Sequence, residues 1–238
     1  MAIRGILFDK DGTLIDVNGT FIPIYRQMLC EQFSIGPDEA NAMMQPVGYD
    51  PAQDRFIANS VLASGTTRQL IDAWWPGLTE AEAAEKIRML DVDYAALALS
   101  VLKPLMPLAP LLTQLKAMNF HVGVATNDSQ LSARNAMRHL GVLDLFDDVI
   151  GADSVPRPKP SGDMIRKFAA SMDIDVCEIA MVGDNSHDLD EARHGGAGLA
   201  IAVLTGSASH AEIAHLADHT LDSIAALPEL MRTLHNVL

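Results

Sequence analysis

Short apolar runs alternate with segments of helical period along most of this chain. Residues 3–9, 121–127, 148–153, 179–184 and 199–204 are apolar, β-branched stretches of strand length. Residues 108–118 and 129–140 place apolar side chains at three- and four-residue spacing, the second after a polar start suited to capping, and residues 160–172 and 188–194 are further helix candidates. Strands that alternate with helices predict a parallel sheet covered on both faces, and residues 221–238 add a short strand or turn and a C-terminal helix. The expected fold class is α/β, a doubly wound parallel sheet.

One region interrupts the alternation. Residues 22–33, 37–44, 67–75 and 79–102 all lean towards helix, the last being rich in Ala, Leu and Glu. Between them, Asp50-Pro51 is a turn signal and residues 55–62 have an extended character, which predicts a small hairpin. The chain therefore divides into an α/β core domain, residues 1–16 and 103–238, and an inserted, mainly α-helical cap domain, residues 17–102. Trp74 and Trp75 lie in this insertion, where a pair in an amphipathic bundle is more often core than a ligand platform.

Composition narrows the function classes. At 238 residues, 49% of them hydrophobic, the chain is long enough for a sizeable core and is not disordered. With 17 basic against 31 acidic residues the formal charge is -14, which repels a phosphate backbone and argues against nucleic acid as a partner. A small anionic substrate remains compatible if a few cations are focused locally. Cys30 and Cys177 have neither CxxC nor histidine spacing, so free buried thiols are expected rather than a disulfide framework or zinc site. No secretory-type leader opens the sequence and no apolar run reaches membrane-spanning length. A soluble cytoplasmic protein, monomer or homodimer, is the expectation.

Chemistry concentrates at the strand ends. The first strand runs through ILFDKDGTL, where Asp9 and Asp11 sit two residues apart and, by strand alternation, face one side at the C-terminal edge, where open α/β sheets bind ligands. Two carboxylates so close need a cation or a shared proton, and an oxygen-only, partly hydrated site suits magnesium. An isolated DxD is more often a cap beside a solvated acid. Here three further segments end in polar groups: VATND places Thr126 and Asn127 beside a helix start, VPRPKP sets Lys159 between prolines, and MVGDNSHD supplies Asp184 and Asp188.

Together, and in this order, FDKDGTL, VATND, PKP and GDNSHD resemble the four motifs of the haloacid dehalogenase-like hydrolase superfamily. The helical insertion looks like the mobile cap of the subgroup that includes phosphoglycolate phosphatases and β-phosphoglucomutases. The C-terminal GGAGLAIAVLTG and ADHTLDSIAALPELM are similar to the phosphoglycolate phosphatase pattern. The resemblance implies a magnesium-dependent phosphatase that hydrolyses a small phosphorylated metabolite through an aspartyl-phosphate. Asp9 is then the nucleophile and Asp11 the general acid and base. Magnesium is held by the Asp9 side chain, the Asp11 backbone carbonyl and Asp184. Thr126, the Asn127 N–H and Lys159 hold the phosphate, and Asp188 orients Lys159. Strand alternation points Lys10 away from the acids, so it flanks the site, and His187 is either a substrate or cap contact or a solvated loop residue. Of the cap arginines at 26, 55, 68 and 88, Arg55 is the candidate for gripping a substrate carboxylate. The alternatives are a β-phosphoglucomutase-like phosphotransferase and a non-catalytic phosphate-binding protein on the same fold; a dehalogenase would not need Asp11.

Overall fold

The computed structural model describes residues 2–236. The chain opens on β1 (Gly5–Phe8), then leaves for α1 (Val17–Phe33), α2 (Pro37–Met44), β2 (Tyr49–Asp50), β3 (Arg55–Phe56), α3 (Val61–Ser64), α4 (Thr67–Trp74) and α5 (Glu80–Val101). It returns through α6 (Leu108–Ala117), β4 (His121–Ala125), α7 (Gln130–His139) and β5 (Asp148–Ile150). The remaining elements are α8 (Asp163–Met172), β6 (Ile179–Gly183), α9 (Ser186–Gly195), β7 (Leu199–Val203), α10 (His210–Ile213), β8 (His219–Leu221) and α11 (Leu227–Asn236).

Six strands form one parallel sheet in the order β5-β4-β1-β6-β7-β8, so the first strand lies at its centre. Successive β1 residues face opposite layers. Ile6 and Phe8 pack with Leu112 of α6, Met137 of α7 and Met231 of α11, whereas Leu7 packs with Phe168 of α8 and Leu189 of α9. The strands are apolar throughout because both faces are covered. This is the doubly wound α/β sheet that the alternation of strand and helix patterns predicts.

The helical insertion has its own apolar cluster, built from Ile22, Leu29, Met44, Phe56, Ile71, Trp74 and Tyr94 among others. Trp74 is buried in it and donates its indole N–H to the Met43 carbonyl at 3.2 Å, which accords with a core role for the tryptophan pair. α1 begins earlier than its apolar period suggests, because Asp16 caps it by accepting from the Gly19 N–H at 3.0 Å. The hairpin is shorter than expected: extended pairing covers only β2 and β3, and residues 61–64 are helical because the Ser60 side chain accepts from the Ala63 N–H and starts α3. The two chain crossings into and out of the insertion run side by side, Asp16 N donating to Lys103 O at 2.9 Å and Leu105 N to Leu14 O at 3.0 Å. Cys30 and Cys177 form no disulfide and are half-buried rather than fully enclosed. Among the described residues no helix is long and apolar enough to cross a membrane.

α8 has no side chain of its own to cap it, because Gly162 stands at its N-cap. Glu191 of α9, fully buried, fills that role from the neighbouring helix: its carboxylate accepts from the backbone N–H groups of Gly162 at 2.6 Å, Met164 at 2.9 Å and Ile165 at 3.3 Å. These are orphan donors of a helix start, and satisfying them fixes the segment that carries Lys159. Glu191→Ala leaves them without an acceptor, at a cost on the order of 3 kcal/mol. Thermal unfolding should then move down by about 2–4 °C for each kcal/mol lost; an unchanged midpoint would show that the carboxylate does not anchor α8.

Candidate active site

Strand register assembles the site. Phe8 is paired with Val124 on one side and Val182 on the other, so the three strands end within a residue of one another, and the first residue beyond each is Asp9 from β1, Thr126 from β4 and Asp184 from β6. The Asp9 N–H still donates to Val182 O at 2.8 Å, which holds its Cα in line with the sheet. Gly12 then turns the chain at φ +86°, and a Cβ there would lie 2.6 Å from the Asp184 carboxylate, so only glycine fits beside that acid.

Lys159 reaches into the row of strand ends from the loop before α8. Its Nζ donates to Asp9 Oδ1 at 2.5 Å, Asp188 Oδ1 at 2.6 Å and Ala125 O at 3.1 Å. Asp188 is held in turn by the Asn185 N–H at 3.1 Å, and Asp184 accepts from the Ser207 N–H at 3.0 Å and from Thr13 Oγ1 at 3.5 Å. Asp9, Asp184 and Asp188 each offer a carboxylate oxygen within 4.8 Å of the others, and all three are buried. Three buried acids facing one ammonium form an oxygen-only, electron-rich donor set, which fits a hard divalent cation such as magnesium. Asp188 belongs to this set as well as to the Lys159 contact.

Asp11 lines the same cavity but has a different partner. Lys10 is not turned away from the acids: it is almost completely buried, its Nζ lies 2.7 Å from Asp11 and 3.4 Å from Asp128, and it sits 5.0 Å above the Phe21 ring. The expectation from strand alternation fails because β1 ends at Phe8, two residues before Lys10, and the chain beyond it is already turning. Asp128 is placed for this contact by the Ser129 N–H at 2.8 Å and Ser132 Oγ at 2.8 Å.

A cavity of about 90 Å³ stands over these groups. Its floor is Asp9, Asp11, Thr126, Asn127, Lys159, Asp184 and Asp188, and its roof comes from the helical insertion through Phe21, Tyr25, Leu62 and Leu70. The insertion also touches the core where Ser186 Oγ donates to Asn59 Oδ1 at 2.6 Å. Asn127 steadies the Lys159 loop by donating from Nδ2 to Lys159 O at 3.3 Å. His187 is half-buried at the cavity edge, its ring 3.3 Å from Asn185 Oδ1.

Arg55 lies apart from this assembly. It is exposed on β3, outside the cavity lining, and its charge acts on Glu212. Arg26 is tied to Asn41, Tyr49 and Asp54, Arg68 to Asp72 and Glu80, and Arg88 to Glu85. The motif reading assigns no part to Thr13, Asn185, Glu191 or Ser207. Ser207 follows a Thr-Gly pair just after β7, a polar strand end like the others, and that is the signal by which it was open to detection.

Comparison with known proteins agrees with this geometry. The family model described as haloacid dehalogenase-like hydrolase matches residues 3–196. A phosphoglycolate phosphatase of Neisseria meningitidis is 29% identical over 205 residues, covering 86% of this chain and 81% of that protein. An N-acetylmuramic acid 6-phosphate phosphatase of Pseudomonas putida is 26% identical over 82% of this chain and 81% of its own length. In structure, a predicted phosphoglycolate phosphatase from Haemophilus somnus superposes with a TM-score of 0.72 at 20% identity, over 96% of this chain and 97% of that one, which shows a common fold.

Burial and crowding set the charge states. Burial, reinforced by Asp188 and opposed by Lys159, pushes the Asp9 carboxyl up to about 6. Burial also brings Asp11 to about 6 against the pull of Lys10, and drives Asp184 well above the ordinary carboxylate range with help from Asp9 and Asp188. For both lysines burial opposes the charge, yet the neighbouring carboxylates outweigh it and hold each ammonium protonated above its usual range. Acids raised in the folded state favour folding below the unfolded value near 4, and this contribution is lost as pH rises through about 6. Metal-free protein should therefore lose thermal stability between pH 4 and pH 7.5 on account of these groups. Asp184→Asn should reduce that loss, with a midpoint gain at pH 7.5 of about 2–4 °C per kcal/mol of repulsion relieved. Parallel pH profiles for the two proteins would contradict the assignment of repulsion to this cluster.

Proposed function

Because this chain belongs to the haloacid dehalogenase-like hydrolase family, we propose that it is a magnesium-dependent phosphatase that hydrolyses a small phosphate monoester through an aspartyl-phosphate on Asp9. The observation that carries this reading is the convergence of Asp9 and Asp184, at the ends of adjacent strands, with Asp188 of α9 and Lys159 of the loop before α8, and with Asp11 lining the same cavity. Names among the relatives support phosphoester hydrolysis, and they differ in substrate. We assign residues 17–102 as the cap domain and residues 1–16 with 103–238 as the core domain, since the insertion has its own apolar cluster and joins through two adjacent crossings. In this arrangement Asp9, Asp184 and the Asp11 carbonyl would hold magnesium, with Asp188 beside them. When bound, the ion neutralises the carboxylates and lets an anionic phosphate approach an anionic nucleophile.

The protein's own groups divide the remaining chemistry. An Asp9 oxygen attacks phosphorus as the bond to the alcohol oxygen breaks, and Asp11 gives that oxygen its proton. Asp11 then takes a proton from the incoming water, whose oxygen displaces Asp9 and releases inorganic phosphate. A carboxyl near pKa 6 is suited to both halves of this exchange at neutral pH. Lys159, Thr126 and the Asn127 N–H hold the phosphoryl oxygens as charge redistributes over them. Lys10 opposes the rise in the Asp11 pKa, so a proton leaves that carboxyl more readily than burial alone would permit.

Three measurements test this reading. Asp9→Asn keeps the side-chain shape and should lower kcat on p-nitrophenyl phosphate by at least a thousandfold with the fold intact; substantial residual turnover would exclude Asp9 as nucleophile. Chelation should silence the wild type and magnesium restore it, with calcium a poor substitute because of its larger, looser coordination shell; full activity in chelator would remove the metal from the scheme. Asp11→Asn should slow alkyl esters roughly a hundredfold more than p-nitrophenyl phosphate, whose leaving group needs little protonation. Equal losses on both would confine Asp11 to a structural part.

A further inference from the structure

The phosphate end of the site is well supplied with polar groups; the leaving-group end is not. Among the described residues lining the cavity, Lys159 is the only Lys or Arg, and it is already engaged by two carboxylates. Facing it are the Phe21, Tyr25, Leu62 and Leu70 side chains. A substrate carboxylate or second phosphate placed against that roof would be desolvated without a partner, a cost of several kcal/mol in any apolar setting, whereas the arginines that could have met it are exposed or paired elsewhere.

Behind the roof lies a second cavity of about 170 Å³ between the insertion and α7. It shares Phe21, Tyr25, Thr67, Leu70 and Asp128 with the first, so the two adjoin through a common wall. Met28, Ile71, Trp74, Leu90 and Tyr94 continue it on the insertion side. Thr20 also lines it, and its hydroxyl is fully buried with no hydrogen-bond partner among the described residues. On the α7 side the lining is mixed: Ser132, Asn135 and the Lys10 ammonium, already paired with Asp11 and Asp128, stand beside Leu131, which is 68% exposed, an unusual place for a leucine unless something apolar covers it. An apolar cavity of about 150 Å³ is enough to take up benzene.

We propose that this second cavity receives the leaving group, and that the substrate is the phosphate monoester of a primary alcohol bearing an apolar group of roughly benzene size, aryl or branched alkyl. The inference rests on the phosphatase reading for the reaction and on the shared wall for the specificity. Burial of the apolar group stabilises the bound substrate and its transition state alike, and so it raises kcat/KM. The roof discriminates against carboxylated and bisphosphorylated esters because, beyond the hydroxyl-bearing Tyr25 and Thr67, its described lining carries no cation to compensate their charge.

The test is a series of primary alkyl phosphates of equal leaving-group chemistry, ethyl, butyl, hexyl and 3-phenylpropyl, run beside phosphoglycolate. Expected is a rise in kcat/KM of about fourfold for each methylene buried, with phosphoglycolate at least a hundredfold below the 3-phenylpropyl ester. Leu131→Glu places a carboxylate at the rim of the second cavity on an exposed helical position, and should cut the ratio of 3-phenylpropyl to ethyl turnover by about tenfold. Hydrolysis of all esters with a flat series, or with phosphoglycolate favoured, overturns this inference and leaves the phosphatase reading standing. Binding gives an independent reading: in calorimetry with magnesium, 3-phenylpropylphosphonate should bind at least tenfold more tightly than ethylphosphonate. Equal affinities overturn the proposal even if no ester is turned over, whereas apolar preference without turnover upholds the cavity's selectivity and overturns the phosphatase reading.

Discussion

Three carboxylates are buried around one ammonium at the C-terminal edge of the sheet, and the surrounding structure has to tolerate the repulsion this creates. Asp9, Asp184 and Asp188 lie close enough to share a cation, and Lys159 alone bridges two of them. The tolerance is structural before it is chemical. The Asp9 carboxylate is held by Lys159 while its backbone is tied to the neighbouring strand, Asp184 is held by the Ser207 N–H, and Asp188 by the Asn185 N–H, so each charge is restrained where it is buried. Gly12 permits the close approach of the first turn to Asp184, and Glu191 fastens the helix start behind Lys159. A divalent ion completes the electrostatics of such a cluster.

The parts of this arrangement that were legible in the sequence are those fixed by local pattern. Apolar runs separated by helical periods announce a parallel sheet, and a polar residue at the end of each run is a strong mark because buried strands have no other reason to finish that way. Asp9, Thr126 and Asp184 could be singled out on that basis, since a parallel sheet brings its strand ends to one edge; the resemblance of the four motifs together is what added Lys159 and suggested their roles. Lys10 could not. Its direction follows from where pairing stops, and a strand that ends at Phe8 instead of Asp9 reverses the inference drawn from alternation. Arg55 illustrates the other limit: the way a two-residue strand in the insertion turns depends on how separate helices pack, and the side chain ends beside Glu212 instead of the cavity.

Lys10 also alters the electrostatic picture of the site. Five acids, Asp9, Asp11, Asp128, Asp184 and Asp188, face two lysines rather than one, and each lysine divides its charge between two acids. The division separates tasks. Lys159 holds Asp9 and Asp188, the acids to which the proposed mechanism gives the nucleophile and a place beside the metal, and Lys10 holds Asp11 and Asp128. Two acids two residues apart in sequence thus reach similar pKa values near 6 with separate counter-charges, while the charge on Asp9 still helps to raise Asp11.

The contrast between floor and roof ties this chemistry to selectivity. An apolar roof keeps water from the phosphate site, and with less water every charge on the floor acts at longer range and greater strength. Burial is also the largest influence that lifts Asp9 and Asp11. An arginine added there to hold a substrate carboxylate would bring a charge close to Asp11, lower its pKa and weaken its capacity to donate a proton. Under this constraint, selectivity is more readily built from shape and apolar surface than from charge. A roof that extends into a second apolar cavity is consistent with that solution, because it adds contact with the leaving group while leaving the proton chemistry of Asp11 to burial and Lys10.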